Sequence, residues 1–316
     1  SVGETLFDAM LSETGDLRAV GWNRPPGSSW INYLRPQNCF TIMPLKIRPK
    51  KRDAPTVARF ALAADSVQAD VRPRLVDALY LADNMRKALM SLSGHENDGM
   101  ASPTFSGKDQ NGRPLIGHQH AFFLPIDDDK DGRIEAMLVY APNGFTELDQ
   151  IAMGRLRKLW QHGGRPGLFP VLVGMGKPED FGGADFAKGL SPVLAEARVW
   201  ESRTPFVLMR HPKVRKNGQP KLSENGTWID GPEDQLRSEI LRRNLPEPED
   251  IHWKDHTKSS GKKLFWRNFS KFRRGGSGAY AGGGYGFRLT FRNPVRGPLA
   301  LGYGCHFGLG QFCAVA

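Results

Sequence analysis

The order of the apolar segments between residues 57 and 174 constrains the fold of this chain more than any other feature of its sequence. Two helices are predicted there, one that begins near Pro73 and one that begins at Thr146, because apolar residues recur at helical spacing after each. Four segments have the length and apolar character of strands: VARFALA (57–63), HAFFLPI (120–126), RIEAMLVYA (133–141) and LFPVLVG (168–174). The order strand, helix, strand, strand, helix, strand predicts a ferredoxin-like βαββαβ unit.

The second half of the chain repeats this pattern less regularly. A helix is predicted from Asp230 and Pro232 onwards, and a glycine-rich loop, GYGCHFGLGQF (302–312), stands where a second helix would be expected. The strand candidates are RTPFVLMRH (203–211), KLFWRNFSKF (263–272) and YGFRLTF (285–291). We therefore predict an α+β fold with two tandem ferredoxin-like domains, of which the second is degenerate and carries the late glycine-rich loop.

The length of the chain, 316 residues, is too great for one ordinary core. The predicted domains are 56–176 and 177–316. Residues 1–55 contain two turn-rich and basic segments, RPPGSSW and PLKIRPKKR, and are interpreted as a linker or arm left from an upstream module. Because the first residue is Ser1 rather than a methionine, we expect the chain to be a piece of a longer protein.

The charge of the chain favours a polyanionic partner. Lys and Arg number 44 against 33 Asp and Glu, which gives a formal net charge of +11. A membrane surface would require a long amphipathic basic helix, and the sequence shows neither such a helix nor an apolar run near the roughly 18 residues that cross a bilayer. We therefore expect nucleic acid rather than a membrane as the partner.

The three cysteines are Cys39, Cys305 and Cys313, and no two of them form a CxxC pair. This spacing argues against a disulfide scaffold and against a thiolate zinc site. A reducing, cytoplasmic location is expected.

A basic and aromatic stretch, KDHTKSSGKKLFWRNFSKFRR (254–274), is the strongest local indication of RNA binding. Aromatic faces stack on unpaired bases while Lys and Arg attract phosphates, a combination typical of proteins that bind single-stranded or looped RNA. The alternative is an edge strand whose aromatic residues belong to the core. The expected phosphate contacts are Lys262, Lys263, Arg267, Lys271, Arg273 and Arg274.

Three histidines are candidates for acid–base chemistry. His118 and His120 stand in GHQH, where residues two apart on a strand would share one face, and His95 follows the first predicted helix. Imidazole titrates near neutral pH and can act as a general base or acid. A metal site is the alternative, but the spacing assigns no third ligand, so no metal is predicted.

The aspartate turn, DDDKDG (127–132), matches the opening of a calcium-binding EF-hand loop. The twelfth position of such a loop, normally a bidentate Glu, is Leu138, and strands rather than helices are predicted on both sides. The favoured interpretation is a solvated hairpin turn that uses Asp and Gly for local hydrogen bonds. A metal site is the alternative.

The glycine-rich loop does not match either common nucleotide-cofactor motif. It lacks the G-x-G-x-x-G spacing of dinucleotide sites and the Gly-Lys-Ser/Thr ending of a Walker loop, so no cofactor is predicted. The loop is interpreted as a backbone platform for an RNA phosphate chain or as the close-packed junction that shapes it. The residues concerned are Gly302, Gly304, His306, Gly308 and Gly310.

Three stretches together carry a family resemblance: FSGKDQNGRPLIGHQHAFFLPIDDDKDGRIE, LVYAPNGF and FRNPVRGPLALGYGCHFGLGQF. With the late glycine-rich loop, they resemble the RAMP superfamily of CRISPR-associated RNA-binding proteins. More narrowly, they are similar to the repeat-processing endoribonuclease module of the fused subunit of type I-G (formerly I-U) CRISPR systems. The resemblance covers roughly residues 57–316.

The resemblance implies metal-independent cleavage of CRISPR repeat RNA. In that reaction the 2′-hydroxyl attacks the adjacent phosphate and leaves a 2′,3′-cyclic phosphate and a 5′-hydroxyl. The implied partners are the repeat RNA and other subunits of a type I effector complex. Many members carry a catalytic histidine near the start of the first helix, where this sequence has none. We therefore transfer the role to His118 and His120, with His95 as the third participant.

Four further basic residues are candidates for phosphate contact only: Arg72, Arg74, Lys108 and Arg113. Two other functions remain open at this point. One is a catalytically silent RNA-binding subunit of an effector complex with the same fold and charge. The other is a metal-dependent nuclease that uses His118, His120 and the aspartate turn.

Overall fold

The structure is a computed structural model, and it describes residues 11, 13–21, 53–64, 72–161, 166–181, 191–271 and 283–315. Residues 1–52 and 53–316 form separate compact units. Within the first, the structure describes one short helix, α1 (Thr14–Ala19). The two segments on which the linker prediction rests lie outside the described residues, as do Phe272, Arg273 and Arg274.

The first sheet follows the element order that the sequence predicted. It has four antiparallel strands in the spatial order β2-β3-β1-β4. A 3₁₀ turn over Leu75–Asp77 leads into the first long helix, and Thr146 caps the second through a capping box with Asp149. The elements are β1 (Val57–Ala64), α2 (Ala78–His95), α3 (Pro103–Ser106), β2 (Phe122–Ile126), β3 (Ala136–Tyr140), α4 (Glu147–Arg155), β4 (Leu168–Gly176) and α5 (Pro178–Phe181).

Strand β2 is buried on both faces, which explains its continuous apolar sequence FFLPI. Phe123 belongs to the core between the sheet and helix α2, together with Met85 and Leu89. Leu124 belongs to a second cluster on the opposite face, with Ala300 from the second half of the chain. β2 therefore contributes to a core cluster on each of its faces, and the residues just before it lie close to both halves of 53–316.

The second sheet is also antiparallel, in the order β11-β5-β10-β6, with β7 paired to β10. The predicted strand over 203–211 is wrong for most of its length. Only Phe206 and Val207 form a strand. Before it, Thr204 Oγ1 donates to the Gly308 carbonyl and the Arg203 and Thr204 N–H groups donate to Gln311 O; after it, the Met209 and Arg210 N–H groups donate to Gln235 Oε1. The elements are β5 (Glu196–Ser202), β6 (Phe206–Val207), α6 (Pro232–Arg242), β7 (Asp250–Lys254), β10 (Gly284–Arg296) and β11 (Phe312–Ala314).

The basic, aromatic stretch forms a hairpin of β8 (His256–Ser259) and β9 (Lys262–Phe265) rather than one long strand. The predicted strand over 263–272 ends at Phe265, where a 3₁₀ turn begins. Trp266 and Phe269 are buried in the core of the first sheet, so their faces cannot stack on bases. For these two aromatic residues the core alternative is correct.

The glycine-rich loop is mostly buried. A 3₁₀ turn over Cys305–Phe307 occupies its centre, and Gly308 and Gly310 both have positive φ. A Cβ at Gly308 would collide with Pro125 of β2, and one at Gly310 would collide with the Leu301 carbonyl. Gly308 therefore allows close packing against the first sheet, and Gly310 allows the loop to pack against its own preceding segment, as the junction alternative predicted. None of the described helices is both long and apolar enough to cross a membrane.

Candidate functional site

Three histidines from distant parts of the sequence meet at the junction of the two halves. His118 Nδ1 lies 2.8 Å from His306 Nε2, although the two residues are 188 positions apart. The His120 and His306 rings stack with their centroids 3.6 Å apart. The structure thus joins GHQH to the glycine-rich loop, two features that the sequence analysis treated as separate sites.

The backbone before β2 presents His118 to the outside. Gly117 and His118 both have positive φ, at +74° and +57°, so the chain turns sharply there. The two GHQH histidines do not share one face of a strand, because β2 begins only at Phe122; His118 lies in a turn, and its side chain is 32% exposed. A non-glycine residue in the left-handed region is strained, and such strain is concentrated at functional sites.

The hydrogen bonds fix the tautomers of two rings. His306 Nδ1 lies 3.1 Å from the Ala121 carbonyl, which can only accept, so Nδ1 carries the hydrogen. His306 Nε2 then has a lone pair that accepts from His118 Nδ1–H. His118 Nε2 is left unprotonated, and it is the ring nitrogen that can take a proton from a bound molecule.

A buried ion pair on helix α6 stands beside His118. Glu239, which is 1% exposed, lies 3.7 Å from His118 Nε2 and 3.0 Å from the Arg243 guanidinium. The same guanidinium lies 3.3 Å from Cys305 Sγ and over the Phe122 ring. Glu239 and Arg243 therefore connect α6 to His118 and to the glycine-rich loop.

The environment keeps the three rings neutral at pH 7. Burial lowers the pKa of His118, the nearby Arg243 lowers this pKa further, and Glu239 opposes both. Burial and the neighbouring His118 lower the pKa of His120 to about 4. Burial also lowers the pKa of His306 well below its usual value. A neutral imidazole can accept a proton, so the cluster suits a general base.

A groove with a volume of about 290 Å³ opens beside His118. Three arginines, Arg242, Arg243 and Arg296, line it together with Tyr140. Arg243 pairs with Glu239 and Arg296 with Glu196, whereas Arg242 is exposed and makes no ion pair within the described residues. Guanidinium groups beside a neutral imidazole provide the charge that binds a phosphate next to a proton acceptor.

The same region offers three possible metal ligands, from His118, Cys305 and His306, with one atom of each within 4.8 Å of the others. Burial raises the pKa of the Cys305 thiol to about 11, so it is not the thiolate that a metal needs. The two imidazole nitrogens nearest each other are already hydrogen-bonded. These residues fit a hydrogen-bonded cluster better than a metal centre.

The other predicted histidine does not join the cluster. His95 is the last residue of α2 and is exposed, and within the described parts of the chain no hydrogen bond or ring contact links it to His118, His120 or His306. Its assignment as the third participant has no support in the geometry. His306, which the sequence analysis assigned to RNA contact, takes that position instead.

The predicted phosphate-binding residues are spread over several surfaces. Lys262 and Lys263 are exposed on β9 and Arg267 follows them, with its guanidinium over the Phe265 ring. Lys271 is half-buried, and burial lowers its pKa.

Four further basic residues were predicted to contact phosphate. Two of them, Lys108 and Arg113, are exposed in the loop that precedes GHQH. Arg72 is paired with Asp131 and Arg74 with Asp77.

Glu239 and Arg243 are not among the functional residues predicted from the sequence. Charged residues four apart on an amphipathic helix usually form a solvated face, and nothing in the sequence distinguishes this pair from Glu233 and Arg237 one and a half turns earlier. Their burial comes from packing against the glycine-rich loop, which is a long-range contact.

Comparison with known proteins does not show which family this chain belongs to. No family model and no curated protein matches the chain. Two solved structures resemble it over 83% of this chain and 100% of theirs: "Cas6 (TTHB231) product complex", at 10% identity, and "An RAMP protein binding different RNA substrates", at 13% identity, each with a TM-score of 0.37. At these TM-scores the two likenesses carry no argument about fold or function.

Proposed function

We propose that this protein is an endoribonuclease that binds and cleaves the repeats of precursor CRISPR RNA to give mature guide RNA. The observation that carries the proposal is the unprotonated Nε2 of His118 at the wall of an arginine-lined groove. The net charge of +11 and the three family-like stretches agree with an RNA substrate.

The proposed mechanism is metal-independent transesterification. His118 Nε2 accepts the proton of the 2′-hydroxyl, and the 2′-oxygen attacks the adjacent phosphorus. The bond from phosphorus to the 5′-oxygen breaks, which leaves a 2′,3′-cyclic phosphate and a 5′-hydroxyl that takes its proton from water in the open groove. Arg242 and Arg243 stabilise the negative charge that develops on the phosphorane.

In this proposal the other two histidines do not touch the RNA. His306 is 7% exposed and orients His118 through their shared hydrogen bond, while His120 packs under His306. Both are positioning residues. This changes the assignment made from the sequence, in which His120 and His95 were catalytic candidates beside His118.

The proposed architecture is two tandem ferredoxin-like domains, over 56–176 and 177–316. The strand order β2-β3-β1-β4 and the two helices between the strands support it for the first. The second carries the glycine-rich loop that holds His306. We further propose that the protein works with other subunits of a type I effector complex in the cytoplasm.

The test uses a labelled repeat RNA from the host's own CRISPR array, incubated with the protein in excess EDTA between pH 6 and 9. We expect cleavage at one position, with a cyclic phosphate on one product and a 5′-hydroxyl on the other. A 2′-deoxy substitution at the scissile nucleotide should abolish cleavage because the nucleophile is absent. Circular dichroism of the same samples verifies that the chelator leaves the protein folded.

The second candidate is a catalytically silent RNA-binding subunit. The observation that favours it is the burial of the histidine cluster, since His306 and His120 are held neutral and serve equally well to pack the two halves together. This candidate predicts tight binding of the repeat without cleavage at any pH in the range. That result would contradict the endoribonuclease.

A further inference from the structure

The aspartate turn joins β2 to β3 and has the local hydrogen bonds that the sequence indicated, but Asp127 in it is not solvated. One carboxylate oxygen from each of Asp127, Asp129 and Glu135 lies within 4.8 Å of the other two. The Asp127 side chain is completely buried. The cause of this burial is Arg203, which reaches across from the second half of the chain and pairs with Asp127.

Two buried oxygens of this group have no donor. Asp127 Oδ2 accepts from Arg203 and from the Gly132 N–H, and Glu135 Oε1 accepts from the Asp128 N–H. Asp127 Oδ1 and Glu135 Oε2 are equally buried, but no group in the described part of the chain donates to either. A buried acceptor without a donor is costly, which points to a cation that the three carboxylates share.

The net negative charge around these oxygens equals the charge of one divalent cation. The three carboxylates carry three negative charges, and Arg203 offsets one of them. The two remaining aspartates of the turn are already neutralised, Asp128 by Arg59 at 3.1 Å and Asp131 by Arg72 at 2.9 Å. Two negative charges therefore remain uncompensated around the unpartnered oxygens.

We propose that Asp127, Asp129 and Glu135 form a calcium site. Calcium binds oxygen ligands at about 2.3–2.6 Å, and carboxylate oxygens within 4.8 Å of one another can all reach one such ion. Magnesium usually keeps several waters and is held by one or two carboxylates, whereas this group offers three. The sequence comparison with an EF-hand rejected calcium because position twelve is Leu138, whereas here the late carboxylate is at position nine, Glu135.

The site would anchor the basic hairpin. Ser260, between β8 and β9, donates its N–H to the Lys130 carbonyl at 2.7 Å and its hydroxyl to the Asp131 carbonyl at 3.0 Å. Arg203 donates to the Lys258 carbonyl in the same hairpin. A cation that fixes the aspartate turn therefore also fixes the hairpin that carries Lys262 and Lys263, and its role is structural.

The test is thermal unfolding and titration calorimetry of metal-stripped protein with calcium chloride and, separately, magnesium chloride. We expect one bound calcium per chain, a saturable rise in Tm with calcium and a much smaller response to magnesium. Asp129→Asn should abolish both responses, and since Asp129 is exposed, the variant should fold. Glu135→Gln should behave in the same way.

The matched control is Asp109→Asn. Asp109 also accepts backbone hydrogen bonds in a turn, from Asn111 and Arg113, but it is not in the cluster, so the variant should keep the full calcium response. An unchanged Tm of the natural protein in calcium, an equal response to magnesium, or a normal response of Asp129→Asn would each overturn the proposal. RNA cleavage is measured both in excess calcium and in EDTA, and the calcium response is measured without RNA, so failure of the calcium site and failure of the endoribonuclease are distinguishable.

Discussion

At the scale of single residues, the direction of each hydrogen bond in the histidine cluster determines what His118 can do. The Ala121 carbonyl fixes the tautomer of His306, and His306 fixes that of His118, so His118, which lines the groove, keeps an unprotonated Nε2. Glu239 is the only carboxylate that contacts His118 in the described part of the chain, and it favours the protonated ring. The basicity of His118 is therefore a balance between burial and Arg243 on one side and Glu239 on the other.

This balance predicts the pH dependence of cleavage. A base must be unprotonated, so the rate should fall as pH drops through the pKa of His118, which lies below 6.5 in the folded protein. Glu239→Gln removes the group that raises this pKa, so the midpoint should move to lower pH. Single-turnover rates between pH 4.5 and 8 measure it. A midpoint above 6.5 in the natural protein, or a shift to higher pH in the variant, would contradict the assignment.

At the scale of elements, the strands that the sequence predicted correctly are those whose burial is reflected in their own residues. VARFALA and LFPVLVG alternate or run apolar, and both became strands. EARVWES (196–202) and DIHWK (250–254) were missed, because only Trp200 and Ser202 are buried in the first segment and no residue is fully buried in the second. Strand pairing with β10, which periodicity cannot reveal, holds them in place.

The glycine-rich loop shows the same limit. Its composition predicted either an RNA platform or a packed junction, and the close approach of Gly308 to Pro125, which the composition could not reveal, supports a packed junction. Gly308→Ala should therefore destabilise the protein by about 2–4 kcal/mol, through the positive φ and the collision together. Gly226→Ala is the matched control, because Gly226 has the same φ of +76° but open space around it, and it should cost about 1–2 kcal/mol. If Gly308→Ala and Gly226→Ala lose equal free energy of unfolding in urea, the collision with Pro125 is relieved by movement of the loop and the packed-junction account is wrong.

The packing of the histidines at this junction also predicts how stability depends on pH. The unfolded chain protonates His120 near pH 6.5, whereas the folded chain does so only near pH 4. The free energy of unfolding should therefore fall as pH drops from 6.5 towards 4, because the unfolded state binds more protons there.

His120→Asn should flatten this dependence, and His95→Asn, at an exposed position, should leave it unchanged. The raised pKa values of Asp127 and Glu135 act in the opposite direction but are common to all three proteins, so comparing the slopes isolates His120. Tm measured at half-unit pH steps gives the result. If Tm varies with pH in the same way in the natural protein, His120→Asn and His95→Asn, the role given to His120 is wrong.

At the scale of the whole molecule, the candidate site exists only because the two halves pack together. The sequence identified His118, His120 and His306 one by one, but their convergence depends on contacts between residues almost 200 positions apart. It also placed RNA binding on the aromatic stretch, whose Trp266 and Phe269 are core residues, and gave no sign of the arginine-lined groove. Charge and motif type were predictable; the assembly of the site was not.

The groove predicts which arginine binds RNA without a structural role. Arg242 is exposed and lines the groove, so Arg242→Ala should weaken repeat binding and reduce the slope of log affinity against log salt by about 0.7. Lys216→Ala, at an exposed position outside the groove, should change neither. Fluorescence anisotropy at salt concentrations from about 50 to about 300 mM measures the affinity and its salt slope for both variants. Identical slopes for the two variants would place the RNA elsewhere.

Cleavage of labelled repeat RNA by His118→Ala tests the central claim most directly, with His95→Ala as the control. In EDTA at pH 7.5, His118→Ala should cut at least about 10²-fold more slowly than the natural protein while binding the repeat with similar affinity. His95→Ala should cut at the normal rate, because His95 does not contact the cluster. Normal cleavage by His118→Ala would contradict the account and remove His118 from the chemistry.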